Sequence, residues 1–313
     1  MSSKLGFAFR KKYKKKQVFI LILTLFLEFQ KPYLEKSKEQ KIKICLCTLG
    51  KNENRYIREF AQYYKSYNVD KILLYDNNDI NGEKFDIVLN DFIRDNFIKI
   101  INWRGKIRQQ IKIMNHCYKE NFDKYDWLIF YDIDEFIHLE NYTDIKKFLN
   151  QKKFMKCQKI YLNWLFHTDN DLINYDNRSL FRRFPIKDPN INKKNYYIPG
   201  KSIIKGHITN IAINDIHLLN KNLKGCDGFG NLLNLSNYLI KNGDFRYYYI
   251  DHFYCKSLEE FIEKLNKGCP NNYHDINFAL FRINRYFSFN KKNIHKIKYI
   301  ENKTGINLSK FYI

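Results

Sequence analysis

From residue 42 the chain alternates strand-length apolar runs with segments whose apolar residues recur at helical spacing, and this alternation restricts the possible folds more than any other feature. IKICLCTL (42–49) reads as a strand, RYIREFAQYYKSY (55–67) as an amphipathic helix and KILLYD (71–76) as a second strand. A helix over 84–95, the strand FIKIINW (97–103), a helix over 107–121 and the strand WLIFYD (127–132) continue the series. Such a series predicts an α/β fold with a Rossmann-like, mostly parallel central sheet flanked by helices, which binds ligands at the carboxyl ends of its strands. LGKNEN, YDNND and YDIDEF then lie on one rim.

After residue 140 the pattern loosens into shorter strands (158–166, 201–204, 247–250) and Asn-rich loops, which predicts a mixed C-terminal half. Ser257 followed three residues later by Glu260, just before an apolar run, is a capping box that opens a helix to about residue 267. No internal repeat or long linker follows residue 41, so 42–313 reads as one domain and 1–41 as a basic and apolar extension with a linker. Within that extension RKKYKKK (10–16) precedes VFILILTLFL (18–27), an apolar run shorter than the roughly 20 residues that span a bilayer. Residues 17–29 are therefore a candidate for membrane association, as a signal anchor or an interfacial helix, with a cytoplasmic location as the alternative.

The net charge of +22 suggests an anionic partner, but the lysines are spread along the chain and no nucleic-acid motif accompanies them. A nucleic-acid-binding protein is the weaker reading. Seven cysteines form no CxxC pair and no zinc-finger spacing, which favours a reduced compartment, with the lumen of a secretory organelle as the alternative. Cys45 and Cys47 share one face of a strand and read as small hydrophobes. Sequons stand at Asn141, Asn177, Asn234, Asn302 and Asn307, a number that an Asn-rich chain reaches by chance.

The chemistry concentrates in WLIFYDIDEFIHL (127–139), where an apolar strand runs into Asp132, Asp134 and Glu135. Two aspartates at i and i+2 at a strand end can turn toward one hard divalent cation, Mn²⁺ or Mg²⁺, that bridges a substrate diphosphate. The plainer reading is a solvated strand end.

TLGKNENRYIREF, DKILLYDNND, RQQIKIMNHCYKENFDKYDWLIFYDIDEFI, KSIIKG and IDHFYCKSLEEFIEKLNKGCP, in this order over roughly residues 43–270, resemble the family 92 and family 2-like glycosyltransferases (the domain also known as DUF23). The resemblance implies a GT-A-like fold and a metal-dependent, inverting transfer of a sugar from a nucleotide-diphosphate donor, a UDP-sugar, to a carbohydrate acceptor, a glycan or glycoconjugate. It implies Asp132, Asp134 and His252 as ligands of a divalent metal, Mn²⁺ or Mg²⁺. Lys51, Asn52, Glu53, Asp76, Arg108 and Gln109 would bind the donor, Arg108 and Gln109 opening the helix before the D-x-D strand. Lys201 and Lys256 are candidate phosphate or acceptor contacts, and Trp164, Phe166 and His167 fall in the acceptor half. The inverting step needs a base for the acceptor hydroxyl, for which Asp169, Asp215, His217 and Asp227 are the candidates. One departure stands out: in FRRF (181–184) the family commonly has an acid where this chain has Arg182. That departure motivates the alternative of a catalytically silent binding or scaffold protein.

Overall fold

The computed structural model describes residues 41–191, 197–234, 240–241, 245–267 and 276–308. The first half contains β1 (Ile44–Gly50), α1 (Asn54–Ser66), β2 (Lys71–Asp76), α2 (Phe85–Arg94), β3 (Ile98–Asn102), α3 (Gln110–Asn121), β4 (Trp127–Phe130), β5 (Glu135–Leu139) and α4 (Ile145–Leu149). The second contains β6 (Lys159–Phe166), α5 (Leu180–Arg183), β7 (Tyr197–Ile198), β8 (Gly200–Lys205), β9 (Gly225–Cys226), β10 (Leu232–Leu233), β11 (Ile240–Lys241) and β12 (Tyr248–His252). Three helices close the chain: α6 (Leu258–Asn266), α7 (Ile276–Phe289) and α8 (Ile294–Thr304).

The main sheet has the order β10-β9-β6-β8-β4-β1-β2-β3. Strands β3, β2, β1 and β4 run parallel, as the strand–helix alternation requires. Beyond them β8 runs antiparallel to both β4 and β6, while β12 lies parallel to β6 and antiparallel to β5. The α/β expectation holds, with a parallel half continuing into a mixed one.

Alternate residues of β1 enter two different cores. Ile44 and Leu46 pack with Phe60 and Tyr64 of α1 and with Phe85 and Leu89 of α2. Cys45 and Cys47 pack with Ile113, Met114 and Cys117 of α3. Covered on both faces, the strand needs the near-continuous apolar run its sequence shows. Gly50 ends it under close contact, since a Cβ there would lie 2.5 Å from the Phe85 ring.

Two sequence expectations are corrected here. Cys47 is not a lone hydrophobe: it is bonded to Cys117, joining β1 to α3, and Cys157 is bonded to Cys226. Partners 70 and 69 residues apart leave no mark in local spacing. Cys45 and Cys255 are the free, buried thiols among the described residues. Helix α3 begins at Gln110 rather than at 107, because Arg108 takes a left-handed φ of 55° that no helix continues through. The predicted capping box is present, with Ser257 and Glu260 bonded reciprocally at the start of α6. The basic and apolar segments of residues 10–29 lie outside the described residues, among which no helix is long and apolar enough to cross a membrane.

Candidate active site

The acidic turn is built by Glu135. Its backbone N–H donates to the Asp132 carbonyl at 3.0 Å, while its Oε2 accepts from the Asp132 N–H at 3.1 Å. This reciprocal closure buries Glu135 completely, while Asp132 and Asp134 turn toward cations brought in by other elements. Antiparallel pairing sets Ile203 of β8 against Ile129 of β4, so Lys201, two residues earlier, arrives beside the turn. Its Nζ lies 2.7 Å from Asp132 Oδ2 and 3.3 Å from Glu135 Oε1. On the other side β12 pairs His252 with Glu135, and the Phe253 N–H donates to the Asp134 carbonyl at 3.0 Å. The chain leaving β12 then brings in Lys256 and α6 brings in Lys264, whose ammonium groups lie 3.2 and 2.9 Å from the same oxygen, Asp134 Oδ2.

These pairings decide the electrostatics. Burial alone would raise the Asp134 carboxyl, but Lys264 and Lys256 outweigh it and hold the group well below its ordinary value. Asp132 is likewise held down by Lys201 against the effect of burial. Glu135 goes the other way, burial pushing it well above its ordinary value despite Lys201. Burial also lowers His252 to about 4 against the pull of Asp134, so its imidazole is neutral near pH 7.

The donor types expected for a divalent metal are therefore present, but they are not arranged to hold one. Among the described residues no group of three or more His, Cys, Asp or Glu side chains gathers so as to bind an ion. His252 Nε2 stands 3.6 Å from Asp134 Oδ1, and each aspartate already carries an ammonium group. A dication placed against Asp134 would have to displace two lysines or sit beside their positive charge, which is unfavourable at any dielectric. As placed, Asp132, Asp134 and His252 do not fit the expected Mn²⁺ or Mg²⁺.

Next to Lys256 and Lys264 opens a cavity of about 760 Å³. The loop after β1 forms its opposite wall with Lys51, Asn52 and Glu53, so the structure brings these three predicted donor residues together with the C-terminal lysines. Glu53 Oε1 accepts from Lys267 Nζ at 2.7 Å, and Lys51 Nζ reaches Asp79 Oδ1 at 2.8 Å. Asn52 sits at φ 53°, a conformation asparagine tolerates, with its N–H held by Asn78 Oδ1 at 2.8 Å. Asp76, expected at the donor, is instead fully engaged in the protein. Its Oδ1 accepts from the Asn78 N–H and side-chain amide at 3.0 and 2.7 Å, and its Oδ2 accepts from Arg104 at 2.6 Å. It positions the loop that positions Asn52. Gln109 is also diverted, accepting from the Trp103 indole at 3.3 Å and donating to the Ile107 carbonyl at 2.6 Å, and Arg108 is exposed.

The base candidates separate clearly. Asp169 is buried, paired with Lys296 at 2.7 Å and hydrogen-bonded by Tyr286, so it anchors α7 and α8 rather than facing the site. Asp215 accepts from the His217 and Leu218 N–H groups at 2.7 Å each, and Asp227 organises the turn to Asn231. His217 differs. It is half-buried, and its Nδ1 donates to the Gly200 carbonyl at 2.9 Å, which leaves Nε2 as the basic nitrogen. Burial and then Lys201 hold its pKa below the ordinary value. The Trp164 ring lies between His217 and His252, 5.0 and 4.4 Å from them, and its indole N–H is buried without a hydrogen-bond partner. Phe166 packs at 5.2 Å from His252, whereas His167 is spent on Asp251 at 2.7 Å and the Phe184 carbonyl at 2.7 Å.

Sequence reasoning missed Lys264, Lys267 and Arg104. Lys264 and Lys267 stand three residues apart at the end of the capped helix, and that spacing placed them on one face. Arg104, which also ties the carbonyls of Asp79, Gly82 and Glu83, had no local signal.

The sequence profile described as glycosyltransferase family 92 matches residues 40–277. A glycosyltransferase family 92 protein of Ricinus communis is 28% identical over 101 residues, which is 32% of this chain and 18% of that protein. One of Oryza sativa subsp. japonica is 30% identical over 95 residues, 30% of this chain and 16% of its own. The aligned stretch thus covers less than a fifth of either plant relative. Among solved structures, S. aureus TarS 1–349 in complex with UDP-GlcNAc gives a TM-score of 0.41 at 13% identity, covering 84% of this chain and 80% of that one. The mannosyltransferase PcManGT from Pyrobaculum calidifontis, in complex with GDP-Man and Mn²⁺, gives 0.32 at 8% identity, covering 44% and 42%. Scores this low carry neither ligand over to this chain.

Proposed function

The chain belongs to glycosyltransferase family 92, and from that premise we propose that it transfers a sugar from a nucleotide-diphosphate donor, a UDP-sugar, to a hydroxyl of a carbohydrate acceptor with inversion. The observation that carries this reading is the cavity of about 760 Å³ between the loop after β1 and the start of α6. Its size falls in the roughly 300–1,000 Å³ range of small-molecule sites. It lies at the carboxyl end of β1, where an open α/β sheet receives its ligand, and among the acids of its walls it presents the paired ammonium groups of Lys256 and Lys264 to a diphosphate. In the transfer the acceptor oxygen bonds to the anomeric carbon as the bond from that carbon to the phosphate oxygen breaks. The bonding pair leaves with the diphosphate, and the hydroxyl proton passes to His217 Nε2. Trp164, beside His217, supplies an aromatic wall and an indole N–H for the acceptor side. No step of this scheme is routed through a metal.

The test is release of UDP by the full chain incubated with a panel of UDP-sugars and oligosaccharide acceptors. Acceptor-dependent release supports the transferase. A chain that binds UDP but turns over no donor is the silent binding protein that Arg182 first suggested.

For location we propose an oxidising compartment, a reading the two disulfides support because such bonds form and persist there. We place the domain in the lumen of the secretory route or outside the cell, with residues 17–29 as its candidate attachment to the membrane. All five sequon asparagines are exposed, as acceptors of glycans in that compartment would have to be.

A further inference from the structure

We infer that the ammonium groups of Lys256 and Lys264 take the place of a divalent cation in this site, so that a nucleoside diphosphate binds to fixed lysines and its binding needs no metal. The inference rests on the donor-site reading above and goes beyond it by naming what neutralises the diphosphate.

Both lysines are side chains of the cavity wall, and both point their ammonium groups at one oxygen, Asp134 Oδ2, at 3.2 and 2.9 Å. Their side chains are 6% and 25% exposed, against 11% for Asp134. One carboxylate cannot neutralise two ammonium groups, so the trio leaves one positive charge on the wall. Two ammonium groups also carry the same charge as one dication, and fixed Lys or Arg groups stabilise a departing phosphoryl oxygen by the same electrostatic means as a metal.

The placement is held from several sides. The Lys264 ammonium also donates to the Tyr254 carbonyl at 3.2 Å, and Lys256 lies over the Tyr56 ring at 4.4 Å. Tyr56 donates to Glu260 at 2.7 Å, which ties α1 to the capped start of α6 between the two lysines. Asp134 therefore acts as a positioning residue that gathers two cations rather than as a ligand of a third. The other cations of the wall, Lys51, Arg55 and Lys267, each have a carboxylate of their own in Asp79, Glu263 and Glu53. The lining also holds Glu83, and Glu260, which is taken by Arg183, so the shared pair is the place on the wall where two ammonium groups answer a single carboxylate.

The test is calorimetric titration of UDP, and separately of GDP, into the full chain, once in EDTA and once with Mn²⁺. The expected result is binding in EDTA with an affinity that Mn²⁺ changes by less than about twofold. Lys264→Gln, at the more exposed of the two lysines, should weaken binding by about tenfold or more, the size of one lost charge-assisted hydrogen bond. Lys256→Gln should do the same, and the wild-type titrations stand whether or not that variant folds. Binding that appears only with Mn²⁺ overturns the lysine reading and leaves the donor site standing. Unchanged affinity in Lys264→Gln also overturns it. No binding of either nucleotide under either condition overturns the donor site and this inference together.

Discussion

Arg183→Met should be the most destabilising single change near the site. Glu260 is 1% and Arg183 2% exposed, and they form two hydrogen bonds of 2.6 and 3.1 Å. The same carboxylate accepts from Tyr56 at 2.7 Å and from the Ser257 N–H at 3.0 Å, so it closes the α6 cap and holds α1 against it. Without the guanidinium a buried carboxylate keeps its charge and loses two of four donors. Removing one partner of such a pair costs about 3–5 kcal/mol. In urea at pH 7 this should appear as a lower midpoint with an unchanged slope. The double variant Arg183→Met/Glu260→Met should recover part of the loss, because no unpaired charge remains. Burial works against the Glu260 carboxylate, but its bonds from Arg183, Ser257 and Tyr56 hold its pKa below the ordinary 4.5. Its stabilisation is therefore fully present above pH 4.5 and is lost as the pH falls through the lower folded value, where wild type and Arg183→Met converge. A loss under about 1 kcal/mol, the worth of an exposed pair, would refute the reasoning.

Three further outcomes are expected. His217→Gln should lower kcat by about 10²–10⁴-fold and remove the acid limb of its pH profile; in the wild type that limb lies below the ordinary histidine value of 6.5, and a limb that survives the substitution excludes His217 as the base. Asp76→Asn should cost about 1.5–3 kcal/mol in urea by weakening the charged bond to Arg104, and should weaken UDP binding through the Asn78–Asn52 contact; unchanged values for both would remove Asp76 as the organiser of that loop. Peptide mapping without reduction should recover Cys47 linked to Cys117 and Cys157 linked to Cys226, and Cys226→Ser should lose about 2–4 kcal/mol; four free thiols at these positions would withdraw the oxidising-compartment assignment.

The parallel half of the fold was legible because β1, β2 and β4 are covered on both faces and each helix on one, so hydrophobic period and length report the element directly. KILLYD coincides with β2, and Ser257 with Glu260 marks the start of α6 to the residue. The β1 loop was legible for the same reason, since a ligand rim follows from strand direction. Side-chain commitments were not legible. Asp76 ends its strand as a donor-binding acid would, yet its oxygens are taken by Asn78 nearby and by Arg104, which follows β3 in the chain. Asp169 looked as available as His217 until Lys296, 127 residues away, closed on it.

The acidic turn shows the same limit at the chemistry itself. Asp132, Asp134 and Glu135 read as one cluster, but the structure gives them separate tasks: Glu135 closes the turn, Asp132 holds Lys201, and Asp134 gathers Lys256 and Lys264. The lysines come from 69, 122 and 130 residues further along the chain. A carboxylate waiting for a dication and one already holding ammonium groups are spelled alike in sequence. They differ in what a second positive charge would cost: a vacant carboxylate pair attracts it, while a carboxylate with two ammonium groups within about 3.2 Å repels it. If the lysines hold the diphosphate, replacing Asp134 by Asn should impair the site by letting two like charges separate, and added Mn²⁺ should not restore it. If a metal holds it, the same substitution should leave a residual affinity that rises with Mn²⁺ concentration.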